Sequence, residues 1–410
     1  MDQFTNNLST RGNAIEGSAI RSILAIAGQP GIISFAGGLP SDEAIPESLI
    51  ATIARDVLHN SKQSALQYTA TEGLLHFRTY LCDWINNRYK TIYTPDETLI
   101  TSGSQQAIDL AAEVLLNPGD IVIVERPTYL AALQIFKKIG ATLIEADCDD
   151  NGMIPESVEK ILKSQAVKLI YTIPDHQNPS GVEMTEERRK DLATLALSYT
   201  VPLFEDGAYR EIRFTGTPLR PIASFDTKNE MVLLAQTASK ILSPGLRVGW
   251  IQGPKALINK MALLKQSVDV HTSGLTQEIV YHYLADGHFQ KQLPAIAKLY
   301  NEHATAMNVA LKIYGKNMFE WQMPKGGMFI WAKAKGDVNT SDCLMDIVTN
   351  SKVAYVPGAT FYAQNPEKQT LRLNFSKSSP EQIDKGIKSL SEAFSDLARR
   401  PLAEVARGRL

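Results

Sequence analysis

The stretch TASKILSPGLRVGW, residues 237–250, places a lysine and an arginine seven residues apart, directly after an apolar run. The hydroxyls of Thr237 and Ser239 can donate hydrogen bonds to a phosphate, and Arg247 can bind the same phosphate through two N–H groups. Most lysines lie on the surface, but a lysine next to a buried strand and small hydroxyl residues is poorly explained in that way. Lys240 is therefore a candidate for an amine that does chemistry beside a bound anion.

A second candidate for anion binding follows the run ETLIT at 97–101. A glycine turn comes next, and Ser104 and Gln105 then begin a helical pattern. Free backbone N–H groups and the positive end of the helix dipole favour a phosphate at such a position. An ordinary serine N-cap explains Ser104 as well, and for this motif alone it is the simpler explanation.

Polar and aromatic residues also follow three other apolar runs. Tyr129 could stack on a flat ring, the Asn178 amide could bind a ring oxygen, and Asp206 could face a protonated nitrogen, with Tyr209 three residues further on. Each has an alternative, namely a core tyrosine, a turn asparagine and a carboxylate paired with an arginine. Taken together, these strand ends suit one cofactor, pyridoxal phosphate, which binds a lysine as a Schiff base while a carboxylate faces its pyridine nitrogen.

These residues must be positioned by the elements that precede them. From about residue 97 to 255, short β-rich runs alternate with helical patterns, which predicts a mostly parallel sheet covered by helices and an α/β fold. Ligands bind at the carboxyl ends of the strands in such a sheet. The long helical region after residue 275 is predicted to break at Pro294, and a smaller α+β unit is predicted from about residue 320. Seven strands are predicted in the sheet, at 97–101, 120–125, 141–146, 167–173, 201–206, 231–236 and 248–253.

Composition limits the classes of protein that fit. At 410 residues the chain is expected to form about two domains, and its net charge of −2 gives no general attraction to nucleic acid or to an anionic membrane. No window is apolar for the roughly 18 residues that a membrane span needs, and the N-terminus does not read as a secretory signal. Three dispersed cysteines argue against a disulfide framework or a zinc site. We therefore expect a cytoplasmic protein with no metal.

Over nearly its whole length the sequence resembles the fold-type I pyridoxal-phosphate aminotransferases of class I/II, in the branch of the 2-aminoadipate aminotransferases and kynurenine aminotransferase II. SKILSPGLRVGW (239–250) is the most specific match, and EDGAY (205–209) differs from the frequent EDDPY but keeps the spacing of Asp206 and Tyr209. The other matching stretches, in family order along the chain, are SFAGGLP (34–40), QYTATEGLLHFR (67–78), TSGSQQAIDL (101–110), ERPTYLA (125–131), YTIPDHQNPSG (171–181), PKGGMFIW (324–331), VPGATF (356–361) and LRLNFS (371–376).

The resemblance implies an aspartate aminotransferase-like architecture. Residues 1–45 would pack on the small domain and the active site, residues 46–290 would form the large pyridoxal-phosphate-binding domain, and residues 291–410 the small domain. It also implies a homodimer with shared active sites, in which Tyr68 reaches the phosphate of the neighbouring subunit.

The resemblance further implies a role for each candidate residue. Lys240 would bind the cofactor as a Schiff base, Asp206 would face the pyridine nitrogen, and Tyr129 would stack on the ring. The ring hydroxyl oxygen would be bound by Asn178 and Tyr209, and the phosphate by Ser104, Gln105, Thr237, Ser239 and Arg247. The substrate would be bound by Gly38, Asn178, Arg372, which would bind its carboxylate, and Arg21, which would meet its side chain.

The implied activity is transfer of an amino group between an L-amino acid (2-aminoadipate, glutamate, aromatic or aliphatic) and a 2-oxo acid such as 2-oxoglutarate. The same cofactor also serves decarboxylases, β-lyases and racemases, and the sequence leaves these alternatives open. An effector domain of a transcription regulator is disfavoured, because only about 45 residues, few of them basic, precede the large domain. A cofactor-free dehydrogenase-like domain is disfavoured because no G-x-G-x-x-G follows the first strand.

Overall fold

The computed structural model describes residues 7–9, 12, 23 and 29–399. A seven-stranded sheet lies at its centre, and its strands are Thr98–Thr101 (β1), Ile121–Glu125 (β2), Thr142–Ala146 (β3), Val167–Thr172 (β4), Leu203–Asp206 (β5), Val232–Thr237 (β6) and Gly249–Gln252 (β7). Their spatial order is β1-β7-β6-β5-β4-β2-β3. All neighbouring strands are parallel except β7, which is antiparallel to β1 and β6. The predicted α/β class with a mostly parallel sheet is confirmed.

Helices cover the central sheet. In the described part of the chain up to residue 310 they are Glu47–Asn60 (α1), Lys62–Leu66 (α2), Leu75–Tyr89 (α3), Ser104–Leu115 (α4), Leu130–Ile139 (α5), Pro155–Ser164 (α6), Glu186–Tyr199 (α7), Lys255–Asp269 (α8), Gly274–Ala285 (α9) and His288–Ala310 (α10). Every residue of β5 and β6 is buried, because helices pack on both faces of a parallel sheet and leave no polar face. Helix α4 buries Ala107, Ile108 and Ala111 on one side, as its helical spacing of apolar residues predicts.

A second, antiparallel sheet lies in the C-terminal part. Its strands are Phe319–Trp321 (β8), Phe329–Ala334 (β9), Val356–Pro357 (β10) and Thr370–Asn374 (β11), in the order β8-β9-β11-β10. Helices Thr340–Ser351 (α11) and Pro380–Arg399 (α12) accompany it, as expected for a smaller α+β unit. The predicted domain boundaries at residues 45/46 and 290/291 stay predictions, and the second of them falls within α10.

Short elements complete the described chain. Ile33–Ser34 pairs in parallel with Val353–Ala354, which connects the segment before α1 to the C-terminal part. The remaining short elements are the antiparallel pair Cys148–Asp149 and Gly152–Met153, the 3-10 helices Asp42–Ala44, Pro95–Glu97, Ile222–Phe225, Pro244–Leu246 and Gly358–Phe361, and the π-helical turn Leu311–Gly315. Among the described residues, no helix has the length and apolarity that a membrane span requires.

The predicted helix break at Pro294 is wrong. Helix α10 continues through Pro294, and the chain breaks earlier, at Gly287, where a positive φ of 75° separates α9 from α10. Proline removes one backbone hydrogen bond from a helix interior. A 23-residue helix that buries Ile296, Tyr300 and Met307 tolerates this loss, since helical stability comes mostly from tertiary packing.

Candidate active site

A cavity of about 140 Å³ lies at the carboxyl ends of the parallel strands. The strand ends that reach it are those of β1, β2, β4, β5 and β6, as expected for an open parallel sheet. Ten of its lining residues were predicted from the sequence: Ser104, Gln105, Tyr129, Asn178, Asp206, Tyr209, Thr237, Ser239, Lys240 and Arg247. Ile173, Ala208 and Pro244 complete the lining and were missed, because apolar and small side chains carry no chemical signal in a sequence.

Lys240 is the amine of this cavity. Its Nζ donates a hydrogen bond to the backbone carbonyl of Gly38 at 2.8 Å. Burial, helped by the positive charges of Arg372 and Arg247, lowers the pKa of Lys240 to about 8, although Asp206 opposes this shift. About a tenth of the amine is therefore uncharged at pH 7, far more than for an ordinary lysine, and the uncharged form is the one that a base or a nucleophile requires.

Asp206 is the buried carboxylate of the cavity and ends strand β5. Its Oδ2 accepts a hydrogen bond from the Tyr171 hydroxyl at 2.9 Å, and its Oδ1 accepts one from the backbone N–H of Ala208 at 3.3 Å. Burial raises the pKa of Asp206 to about 6. No described lysine, arginine or histidine forms an ion pair with Asp206, so a protonated nitrogen in the cavity would relieve the cost of burying its charge.

The hydroxyl of Tyr171 is a contact that the sequence reasoning missed. Tyr171 lies in β4, inside one of the matching motifs, but no role was assigned to it. The sequence feature that could have identified it is a tyrosine within a buried apolar strand, since a buried tyrosine hydroxyl usually has a hydrogen-bond partner.

Groups that could bind an anion also line the cavity. Gly103 precedes the first residue of α4, Ser104, with φ 94° and ψ 165°, a conformation that is essentially confined to glycine. A Cβ at Gly103 would lie only 2.6 Å from Nη2 of Arg247, so only glycine leaves room for this guanidinium. The same Nη2 donates a hydrogen bond to the carbonyl of Ser102 at 2.7 Å. The hydroxyl of Thr237 accepts a hydrogen bond from the backbone N–H of Ser239 at 3.1 Å. A helix N-terminus, three hydroxyls and a guanidinium together fit a phosphate.

Arg372 lies on strand β11 and is 3% exposed, so it is not the exposed strand arginine of the simpler alternative. Its Nη1 donates to Oδ1 of Asn178 and its Nη2 to the carbonyl of Ala36, both at 2.8 Å. The rings of Phe329 and Phe361 lie 4.2 and 5.0 Å from its Cζ. Burial lowers the pKa of Arg372 to about 10. Its Nε has no hydrogen-bond partner, and among the described residues no carboxylate forms an ion pair with it.

The other predicted substrate and cofactor residues are placed as follows. Gly38 lies at the site through its contact with Lys240, and the side-chain amide of Asn178 lies 3.4 Å from the Tyr209 hydroxyl. Tyr68 does not line the cavity; it is 79% exposed and lies edge-on to His271. Arg21 lies outside the described residues.

His176, beside the Asn178 motif, does not line the cavity either. It is fully buried, and burial lowers its pKa to about 3, so the imidazole is neutral at physiological pH. Its ring packs against Gly326, where a Cβ would lie 2.4 Å from Nε2. His176 therefore shapes the chain around the site and is not in position to exchange a proton with a ligand in the cavity.

The residues of the cavity fit pyridoxal phosphate. They combine an amine, a buried carboxylate without a described ion-pair partner, an amide next to a phenol, and donors that could bind a phosphate. These are the groups that this cofactor's aldehyde, ring nitrogen, ring hydroxyl and phosphate need. The described residues hold no group of three or more histidine, cysteine, aspartate or glutamate side chains that could bind a metal ion.

Comparison with known proteins identifies the family. The family described as aminotransferase class I and II matches residues 30–390. Aromatic-amino-acid aminotransferase 1 of Thermococcus litoralis is 40% identical over 398 residues, which cover 96% of this chain and 95% of that protein. The 2-aminoadipate transaminase of Thermus thermophilus is 34% identical over 93% of this chain and 95% of its own length.

A solved structure agrees with these relatives. Pyrococcus horikoshii kynurenine aminotransferase, crystallised with PMP, matches with a TM-score of 0.93 and 38% identity over 97% of this chain and 99% of that one. The chain belongs to the class I and II aminotransferases. It is a pyridoxal-phosphate-dependent aminotransferase whose substrates are amino acids and oxo acids, as the sequence predicted.

Proposed function

We propose that the protein moves the amino group of an L-amino acid to a 2-oxo acid such as 2-oxoglutarate. The observation that carries this proposal is Arg372, a buried guanidinium with no described carboxylate partner; it does not line the cavity of Lys240 itself but donates a hydrogen bond to Asn178, which does. Every amino acid and every 2-oxo acid has an α-carboxylate, which an arginine can bind through two N–H groups. Relatives named for aromatic amino acids, 2-aminoadipate and kynurenine support a donor range of 2-aminoadipate, glutamate, aromatic and aliphatic amino acids.

We assign the cofactor contacts to the residues that line the cavity. Lys240 would hold the cofactor through its amine, Asp206 would hold the pyridine nitrogen, and Tyr129 would hold the ring by stacking. The other proposed contacts are the ring hydroxyl oxygen with Asn178 and Tyr209, and the phosphate with Ser104, Gln105, Thr237, Ser239 and Arg247. Their convergence on one cavity supports this assignment.

The protein's own residues then transfer protons and orient the substrate. When bound, pyridoxal phosphate supplies an aldehyde carbon for the amino group and a ring that withdraws electrons from the substrate's α-carbon. Once the amino group of the substrate has displaced it from the aldehyde carbon, Lys240 Nζ, with its lowered pKa, would accept the proton of the α-carbon and return it later in the cycle. Asp206 holds a proton at the ring nitrogen, and Arg372 fixes the substrate carboxylate. The carbonyl of Gly38 orients Nζ between transfers.

We also propose a homodimer with shared active sites, in which Tyr68 contacts the phosphate of the neighbouring subunit. The exposure of Tyr68 supports this proposal. Three exposed apolar side chains near Tyr68 or its contact His271 in the chain support it as well: Leu66, Val268 and Val270. Exposed apolar surface of this kind is typical of an interface. We also propose a cytoplasmic location, which is supported by the lack of any disulfide among Cys82, Cys148 and Cys343 in the described residues, as fits a reducing compartment.

The test is a half-reaction with the purified holoenzyme. Glutamate, 2-aminoadipate, phenylalanine, kynurenine and leucine are added singly, without any oxo acid, while the absorption band of the lysine-bound cofactor and the products are followed. We expect that band to be replaced by that of the amine form, with one equivalent of the matching oxo acid released. Release of carbon dioxide or of a side-chain fragment instead would show that the cofactor serves a decarboxylase or a lyase, and no spectral change with any donor would contradict the proposal.

A further inference from the structure

Asp269, the last residue of helix α8, does not line the cavity but contacts Ser102 and Gln106, which flank the lining residues Ser104 and Gln105. Its Oδ2 accepts hydrogen bonds from Nε2 of Gln106 at 2.8 Å and from the hydroxyl of Ser102 at 3.2 Å. Its Oδ1 accepts one from Nζ of Lys265 at 2.5 Å, and the Lys265 side chain is completely buried. A lysine is almost never fully buried unless it is paired, so the buried Lys265 needs the partly exposed Asp269 as its partner.

Ser102 and Gln106 connect Asp269 to the anion donors. The backbone N–H of Ser102 donates to Oε1 of Gln106 at 2.7 Å, and the carbonyl of Ser102 accepts from Nη2 of Arg247 at 2.7 Å. Gly103 follows directly in its glycine-only conformation. The turn between β1 and α4 is therefore bonded on one side to Asp269 and on the other to Arg247.

The chain after Asp269 has a strained backbone and also contacts the turn between β1 and α4. Val270 has φ 63° and ψ −60°, and the N–H of His271 donates to the carbonyl of Asp269 at 2.7 Å. This is the rare form of the γ-turn, and it is unfavourable for a β-branched residue. The hydroxyl of the next residue, Thr272, lies 3.3 Å from that of Ser102. Backbone strain of this kind persists only where surrounding contacts hold it, and here they hold the turn that carries Ser102.

We infer that Asp269, fixed by Lys265, is a positioning residue for the cofactor phosphate, because it holds the Ser102–Gln106 turn and through it the guanidinium of Arg247. This inference rests on the proposed placement of the phosphate at the N-terminus of α4. Although burial alone would raise the pKa of Asp269, the hydrogen bonds from Lys265, Gln106 and Ser102 lower it, so the carboxylate is ionised at neutral pH. An ionised acceptor makes stronger hydrogen bonds than a neutral one.

The experiment compares two ligands that differ only in the phosphate. The dissociation constants of the apoprotein for pyridoxal phosphate and for pyridoxal are measured by absorbance titration, for wild type and for Asp269→Asn. We expect the variant to bind pyridoxal phosphate about tenfold more weakly, with no change in its affinity for pyridoxal, since only charged hydrogen bonds at the phosphate end are lost. Equal weakening for both ligands, or for neither, would overturn the inference.

Three further variants make the result decisive. Gln106→Met removes the bridge without leaving a buried charge, so the same selective loss is expected even if Asp269→Asn folds poorly. Glu302→Gln, on the exposed surface of α10, alters an i,i+4 pair with Lys298 and is the control that should change neither affinity. Arg247→Ala tests the phosphate placement itself. If it weakens both ligands equally, the proposed placement fails, whereas selective weakening by Arg247→Ala but not by Asp269→Asn means that only the inference fails.

Discussion

At the residue scale, Arg372 is a buried cation whose terminal nitrogens bind only neutral oxygens. We predict that Arg372→Lys lowers kcat/KM about 100-fold for every amino-acid donor, because a lysine cannot bind a carboxylate through two fixed N–H groups. Pyridoxal-phosphate affinity should stay unchanged, since Arg372 does not line the phosphate end. The measurement is the rate of the half-reaction against donor concentration. Arg220→Lys, at an exposed surface pair with Glu186, is the matched control, and an equal loss there would contradict the role of Arg372.

Asp206 gives a prediction on pH and stability. In the folded protein burial raises its pKa to about 6, above the ordinary 3.8, so ionised Asp206 destabilises the apoprotein above pH 6. This penalty decreases as pH falls through 6 and is gone below the unfolded-state pKa. We therefore expect apo Asp206→Asn to melt at a higher temperature than wild type at about pH 8, with the difference disappearing near about pH 4.

Thermal unfolding of the two apoproteins across this range checks the sign. Asp191→Asn, on the exposed side of α7, is a control that should melt like the wild type at both ends of the range. A variant Asp206→Asn that melts lower than wild type at high pH would show that Asp206 stabilises the empty site, against the burial argument. With cofactor bound, the same substitution should weaken binding and slow the half-reaction, since the ring nitrogen loses its anionic partner.

At the scale of elements, the junction between β1 and α4 depends on Gly103. We predict that Gly103→Ala weakens pyridoxal-phosphate binding by about tenfold, because its Cβ would meet Arg247 and displace the guanidinium. Gly119→Ala is the control, since Gly119 also has positive φ but a Cβ there would have no atom within 4 Å. Both variants should lose about 1–2 kcal/mol of stability from backbone strain, but only Gly103→Ala should lose cofactor affinity. If cofactor titrations gave the same affinity for Gly103→Ala and Gly119→Ala, the contact between Gly103 and Arg247 would not matter for cofactor binding.

The sequence predicts elements well where local pattern decides them. The apolar runs of β5 and β6 and the helical spacing of α4 are local patterns, and the observed bounds agree with them within about two residues. Pro294 shows the limit of such patterns. A proline reads locally as a break, but the packing of Tyr300 and Met307 on the core keeps α10 continuous, and this packing is not visible in the local sequence.

At the scale of the whole molecule, the proposed dimer can be tested by mixing two inactive or impaired variants. In a hybrid dimer, the Tyr68→Ala chain keeps Lys240 and the Lys240→Ala chain keeps Tyr68. If Tyr68 acts across the interface, these two residues form one complete active site. We expect about a quarter of wild-type activity after subunit exchange, because half of the dimers are hybrids with one complete site each. Mixing Lys240→Ala with Arg372→Ala is the control, since both residues belong to one chain's site and no hybrid site is complete. Failure to exceed the unmixed variants, with exchange verified, would contradict a shared site.

The sequence by itself determined the family, the α/β sheet and the residues at the strand ends. The succession of strands along the chain, and the types of residue that follow each strand, are local properties. Ser104, Tyr129, Asn178, Asp206 and Lys240 could therefore be singled out before any contact was known. The parallel topology then brings consecutive strand ends to one edge of the sheet, which is why ten predicted residues line one cavity.

Only the tertiary structure decided which side chains meet. Tyr171 reaches Asp206 over 35 residues of chain, and Ser102 reaches Asp269 over 167, and no local spacing encodes either contact. The burial of Arg372 between Phe329 and Phe361 likewise depends on how its sheet packs. Burial then sets the chemistry, because removing a charged group from water shifts its pKa and its need for a partner. The reactivity of Lys240 and Asp206 is therefore a property of the folded site, although their identities were readable in the sequence.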